Sequence, residues 1–186
     1  RVPDQWYGDY LSLLGAARIG ERRLKQFTDK YGVTRVRQFI GDWFDYAERR
    51  ALYAIQKLPK GTLINHGTHD PVEPFLPDGV DVTVKVEIDP DAGMVTVDLR
   101  DNSDCINAGL NLTEACATAN AIQGVFENLE PDLPANAGSF RRVNVLLREN
   151  CVVGIPRFPH CCSLATTSMA DVVVNLTQSA FTQLGD

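Results

Sequence analysis

The densest polar stretch of the chain is Asn65-His66-Gly67-Thr68-His69-Asp70. Two imidazoles and a carboxylate are a ligand set suited to zinc, manganese or iron. His66 and His69 stand three apart, a spacing that can converge in a loop, although spacing places no third ligand. The competing reading is a solvated loop with incidental histidines. A second cluster is His160-Cys161-Cys162-Ser163. A thiol near a helix N-terminus has a lowered pKa. His160 and Cys162 form a nucleophile pair only where their side chains meet in space; otherwise the segment is a strand-to-helix turn with buried thiols.

Two further segments are less specific. Asp98, Arg100, Asp101, Asn102, Ser103 and Asp104 crowd one strand end, but without the spacing of a calcium loop, so they read as turn chemistry rather than a cation site. Pro134-Ala135-Asn136-Ala137-Gly138 predicts a tight loop, because Asn136 and Gly138 tolerate left-handed backbone. Asn136 is the candidate there for a substrate contact. The sequence holds no dinucleotide-binding glycine loop, P-loop, nucleophile elbow or HExxH helix. If ATP is used, another segment or subunit must bind it.

These residues need elements to hold them. Leu13, Ala17, Gly20, Leu24, Phe27 and Tyr31 step by four and three, the spacing of one helical face. Gly32 stops that helix and Thr34 can cap the next, where Val36, Ile40, Trp43, Ala47 and Ala54 repeat at helical spacing. The pair predicts an αα-hairpin that presents an apolar seam to something else. Residues 65–79 read as a loop, with Pro71, Pro74, Pro77 and two glycines. The period then becomes two: Val82, Val84, Val86 and Ile88, the turn Asp89-Pro90-Asp91-Ala92-Gly93, then Val95, Val97 and Leu99 predict a β-hairpin. A third helix follows Asn111, a second β region with a turn at Glu149-Asn150 spans 140–153, and a last helix runs from Ser163 or Ser168 to Leu184. The order α-α-β-β-α-β-α predicts an α+β fold, with a helical hairpin over 1–61 and an α+β portion over 62–186.

Composition is globular: 44% hydrophobic and 23% charged over 186 residues. The net charge of −6 and the lack of any basic run argue against nucleic acid or anionic lipid as partner. No apolar run approaches the ~18–20 residues of a membrane span. Five cysteines without a CxxC read as reduced thiols of a cytoplasmic protein. Asn111 and Asn175 begin Asn-x-Thr triplets, but both are expected in helices of a chain without an export signal. The first residue, Arg1 rather than Met, suggests a boundary inside a larger polypeptide.

Gly8-Asp9-Tyr10-Leu11 through Leu14-Gly15-Ala16-Ala17-Arg18-Ile19-Gly20-Glu21-Arg22-Arg23-Leu24 resembles the GD(Y/L)xAxxxAxxxGxxR(L) signature of the hydantoinase B family. Tyr31-Gly32, the segment Asp98–Asn102, Asn107-Ala108-Gly109-Leu110-Asn111, Pro134–Gly138 and paired Arg141-Arg142 resemble further landmarks in the same order. The family comprises B-type components of ATP-dependent hydantoinases, 5-oxoprolinases and large subunits of acetone and acetophenone carboxylases. Residues 66–71, 111–116, 152–159 and 163–171 lean toward the ketone carboxylases.

The resemblance implies a large subunit working on a small-molecule substrate with a hydantoinase A-type partner that binds ATP, and it allows a small third subunit. It also implies a divalent metal, manganese, zinc or iron. The family's Gly-Gly-x-His-x-x-Asp segment, associated with that metal, lies upstream of the Gly8-Asp9 motif and is absent here, so the resemblance does not promote His66, His69 or Asp70 to its place. The expected role is scaffold or wall of a site completed elsewhere, with no activity in the isolated chain. The alternative is a non-catalytic assembly module docked through the helical seam.

Overall fold

The computed structural model describes residues 2–74, 76–160, 162 and 168–185. The chain divides into two compact units, Arg1–Trp43 and Phe44–Asp186.

The first unit holds helix α1 (Pro3–Tyr31) and the first part of α2 (Val33–Ile55). Pro3 sits in the first turn of α1, where its missing N–H costs nothing. Gly32 ends α1 as expected: it has φ 83°, and its N–H donates to the Thr28 carbonyl. The chain then re-enters a helix at once, since Val36 N–H donates to the Gly32 carbonyl. Thr34 therefore lies inside α2 and is not its cap. No residue of α1 is buried. Where α1 ends and α2 begins, Phe27, Tyr31, Arg35, Val36 and Phe39 line an apolar concavity of about 240 Å³.

The second unit is a two-layer α+β body. Its sheet has the order β1 (Gly61–His69), β2 (Val80–Asp89), β3 (Met94–Asp98), β4 (Val143–Leu146). β1, β2 and β3 are antiparallel neighbours, and β4 runs parallel to β3. The parallel return is made through α3 (Glu114–Phe126), as a crossover requires. α4 (Met169–Ala180) packs on β1 and β2 and against α3. The inward residues Val82, Val84, Val86, Ile88, Val95 and Val97 are buried beneath these helices with Ala117, Ala121, Val125 and Val173.

The β2–β3 hairpin forms where expected. Gly93 takes φ 63° in its turn, and the Asp89 carboxylate accepts from the Asp91 and Ala92 N–H groups. Two segments differ from expectation. The first part of the expected 65–79 loop, through His69, is strand, which adds β1 to the order. The second β region keeps only β4 as a sheet strand. Its return curls back on itself, with Ile155 N–H donating to the Arg148 carbonyl and Asn150 N–H to the Ile155 carbonyl, and Asn150 adopts φ 53°. Cys151, Val152 and Val153 are buried by this curl.

The latter half of α2 belongs to the body. Ala47, Ala51, Ala54 and Ile55 are buried. Glycines allow its close approach: a Cβ on Gly138 would lie 2.0 Å from the Phe44 carbonyl oxygen, and one on Gly93 2.0 Å from Leu52 Cδ1. Ion pairs fasten the same half: Glu48 with Arg141 (2.8 Å) and Arg142 (2.6 Å), and Glu130 with Arg50 (3.0 Å) and Lys57 (2.7 Å). Hydrogen bonds from the Arg141 guanidinium, supported by Arg142, hold the Glu48 carboxyl below the usual glutamate range.

Candidate functional site

β1 decides the fate of the first polar cluster. Side chains alternate along a strand, so positions three apart point to opposite faces. His66 and Thr68 lie on the outer face. There His66 Nδ1 hydrogen-bonds Thr83 Oγ1 across the β1–β2 pair at 2.9 Å, and the Thr68 hydroxyl donates to the Asp81 carboxylate at 2.7 Å. Asn65 and Gly67 face α4: Asn65 Nδ2 donates to the Leu176 carbonyl and Ser179 Oγ, and Gly67 sits against the Leu176 side chain. His69 shares their side of the strand, and its Nδ1 donates to the Asp70 carbonyl at 2.8 Å. The loop-borne convergence of His66, His69 and Asp70 is thus not what forms, because the segment is pleated. Among the described residues no three His, Cys, Asp or Glu side chains gather as a metal would need. The described residues do not fit the metal that the family resemblance implies.

The outer face carries an open cleft instead. Asp81, Thr83, Asp101, Asn102, Ser103 and Ile106 line a space of about 440 Å³. It adjoins a second hollow, of about 430 Å³, that reaches His66 and Thr68 and shares Asp81 and Thr83. Asn102 builds the wall: its Nδ2 donates to the Thr83 and Leu99 carbonyls, and its Oδ1 accepts the Thr83 N–H. Arg148, which carried no sequence signal, clips the same wall from behind, donating to the Arg100, Asn102 and Asn150 carbonyls. Asp98 is spanned by both ends of the Arg100 guanidinium, which holds its carboxyl below the ordinary aspartate range. The acidic strand end is therefore a fastening, as its turn chemistry suggests. The cleft offers hydroxyls, carboxylates and an imidazole to a small polar ligand, but it is open to water. Chemistry on a reactive intermediate needs a closed site.

His160 and Cys162 have separate partners among the described residues. His160 Nδ1 donates to the Ile106 carbonyl at 3.2 Å, and Cys162 pairs its backbone with Leu110. Cys161 and residues 163–167 of this cluster and its flank lie outside the described residues. Among the described cysteines Cys151 is the fully buried one; burial pushes its pKa up, and it donates weakly to the Leu99 carbonyl. Asn136 Oδ1 accepts from the Gly138 and Ser139 N–H groups, closing the turn into the 3₁₀ segment Ser139–Arg142. Its Nδ2 is buried and makes no hydrogen bond. As placed, this amide shapes the loop. Asn111 lies just before α3 rather than within it and is fully buried. It accepts the Ile106 N–H and donates to the Ile106 and Ala108 carbonyls.

The landmark residues thus act mainly as fasteners of one body, and relatives share that body. The chain is 28% identical over 173 residues to a Pseudomonas sp. protein described as a putative subunit of a D-/L-hydantoinase, covering 86% of this chain and 28% of that one. It is 26% identical over 176 residues to an uncharacterized protein of Methanocaldococcus jannaschii, covering 95% of this chain and 30% of the other. The ATP-dependent caprolactamase of Pseudomonas jessenii superposes with a TM-score of 0.79 at 24% identity, over 96% of this chain and 30% of the caprolactamase chain. A nucleotide-free acetone carboxylase superposes at 0.64 and 14% identity, over 77% of this chain and 20% of its own. The chain therefore spans about 30% of the length of the curated relatives it matches. Residues 1–185 match the family described as hydantoinase B/oxoprolinase, and the chain belongs to that family.

Proposed function

We propose that this chain is a scaffold portion of the large subunit of an ATP-dependent enzyme that activates a carbonyl-type substrate. The observation that carries the reading is the use to which the family landmarks are put. Asn102, Asn111, Gly138, Arg141 and Arg142 each hold backbone or helix in place, and the polar cleft that Asn102 walls stays open. An amide or enol oxygen is a poor leaving group until it is phosphorylated. In this reading a hydantoinase A-type partner binds ATP and performs that step, and a divalent metal is held by residues outside these 186. The closed site for the second step is completed by other segments, with the outer sheet face as part of its wall.

Ring-opening of a cyclic amide is favoured by the hydantoinase-named relative and by the fuller superposition on the caprolactamase. Ketone carboxylation is the second reading, favoured by the carboxylase-like residues 66–71, 111–116 and 152–159. The test is substrate-stimulated ADP formation by the longer subunit containing this chain, purified with its A-type partner. Hydantoin, 5-oxoproline, caprolactam, acetone and acetophenone are each supplied with and without bicarbonate. The expected result is stimulation of at least about tenfold by a cyclic amide, independent of bicarbonate. Bicarbonate-dependent stimulation by a ketone would select the carboxylase, and no stimulation by any of them would sink both.

A further inference from the structure

α1 leaves an apolar seam uncovered along its whole length of roughly 43 Å. The seam of Leu13, Ala17, Gly20, Leu24, Phe27 and Tyr31 extends upstream through Tyr10 and Trp6, in strictly alternating steps of four and three. That is the 3.5-residue repeat of a helix that pairs with another helix. Every position on it is exposed or partly so, Leu13 at 71% and Trp6 at 68%.

The seam also reads the same from both ends. Trp6 mirrors Tyr31, Tyr10 mirrors Phe27, Leu13 mirrors Leu24 and Ala17 mirrors Gly20, about a centre between Arg18 and Ile19. The rings are already gathered at each end: Trp6 stacks on Tyr10 with centroids 5.8 Å apart, and Phe27 lies 4.8 Å from Tyr31. Two helices crossing at an angle are closest at the crossing point and diverge toward their ends. Small residues in the middle and large rings outward match that shape. A twofold-symmetric contact must be self-complementary, and this seam is.

Charge selects the direction. In an antiparallel pair, Asp9 and Lys30 of the second copy flank the same stretch between the Trp6–Tyr31 and Tyr10–Phe27 layers, and symmetry repeats the pair at the other end. In a parallel pair, the residues of the second copy that flank Asp9 are Tyr7 and Leu14, neither of them a cation. The four rings, at ~150–250 Å² each and about half exposed, present on the order of 400 Å² per copy. With the leucines and flanking stems this approaches the ~800 Å² per partner of a stable interface.

We propose that α1 docks a second copy of this chain, antiparallel and crossing at Ala17 and Gly20. Sedimentation of the longer subunit that contains this chain, from about 1 to 100 μM, should show a species of twice its own mass. Asp9→Lys and Lys30→Asp alone should each weaken the dimer about tenfold, because each sets two like-charge pairs face to face. The double exchange should restore it. All three variants alter exposed residues, so helix content read by circular dichroism should not change. A chain that stays monomeric at the highest concentration would overturn the proposal and assign the seam to another polypeptide segment. A dimer indifferent to both charges, or one the double exchange does not restore, would overturn it too.

Discussion

Asn111 shows how one side chain can fix a loop. It is fully buried, and its side chain makes hydrogen bonds to backbone groups three and five residues away. Asn111→Ala would strand the Ile106 N–H and carbonyl and the Ala108 carbonyl away from water. We expect a loss of about 1–3 kcal/mol, read as a lower urea midpoint at unchanged slope. An unmoved midpoint would mean that water reaches the loop. The sequence marked Asn111 as a landmark, but its partners depend on a loop conformation that spacing does not encode. Arg148 was invisible for the same reason, since its acceptors include carbonyls 46 and 48 residues away in sequence. His66 and His69 were legible as residues and misleading as a pair. Only the strand reveals that three positions of separation sets them on opposite faces.

At the scale of elements, the β2–β3 hairpin was the clearest feature. Buried valines and isoleucine at period two, interrupted by Asp-Pro-Asp-Ala-Gly, leave one solution. β1 was hidden because its buried side carries Asn65 and Gly67, which serve α4 through a hydrogen bond and a close approach rather than through apolar bulk. The latter half of α2 is an element held by charge as well as by its alanines. The Arg141 and Arg142 guanidinium groups lower the Glu48 pKa, and Lys57 and Arg50 lower that of Glu130. A carboxylate lowered in the folded state contributes stability above its unfolded pKa of about 4.3 and loses it as pH falls through the lower folded value. We therefore expect thermal stability to decline below about pH 4.5. Glu48→Gln should lower stability at neutral pH and flatten that acid limb. A variant with an equally steep limb would place the acid sensitivity elsewhere.

For the whole molecule, burial is very uneven. The first unit buries Val36 alone among its described apolar side chains, while the second contains the continuous core. Hydrogen exchange should follow that division. Amides of residues 3–31 should exchange orders of magnitude faster than those of 80–98, unless a second copy covers α1, in which case protection there should rise with protein concentration. Uniform protection at all concentrations would contradict the division. The sheet itself has a border. β1 is its outermost strand, nine residues long, with Ile64 49% exposed. Such a border is a template on which a foreign strand can add, a route toward insoluble fibres. Gln183, just beyond α4, donates its side-chain amide to the Ile64 carbonyl at 2.8 Å. The turn that follows α4 thus stands guard over the strand most prone to aggregation, and losing those few residues would threaten solubility before it threatened the fold.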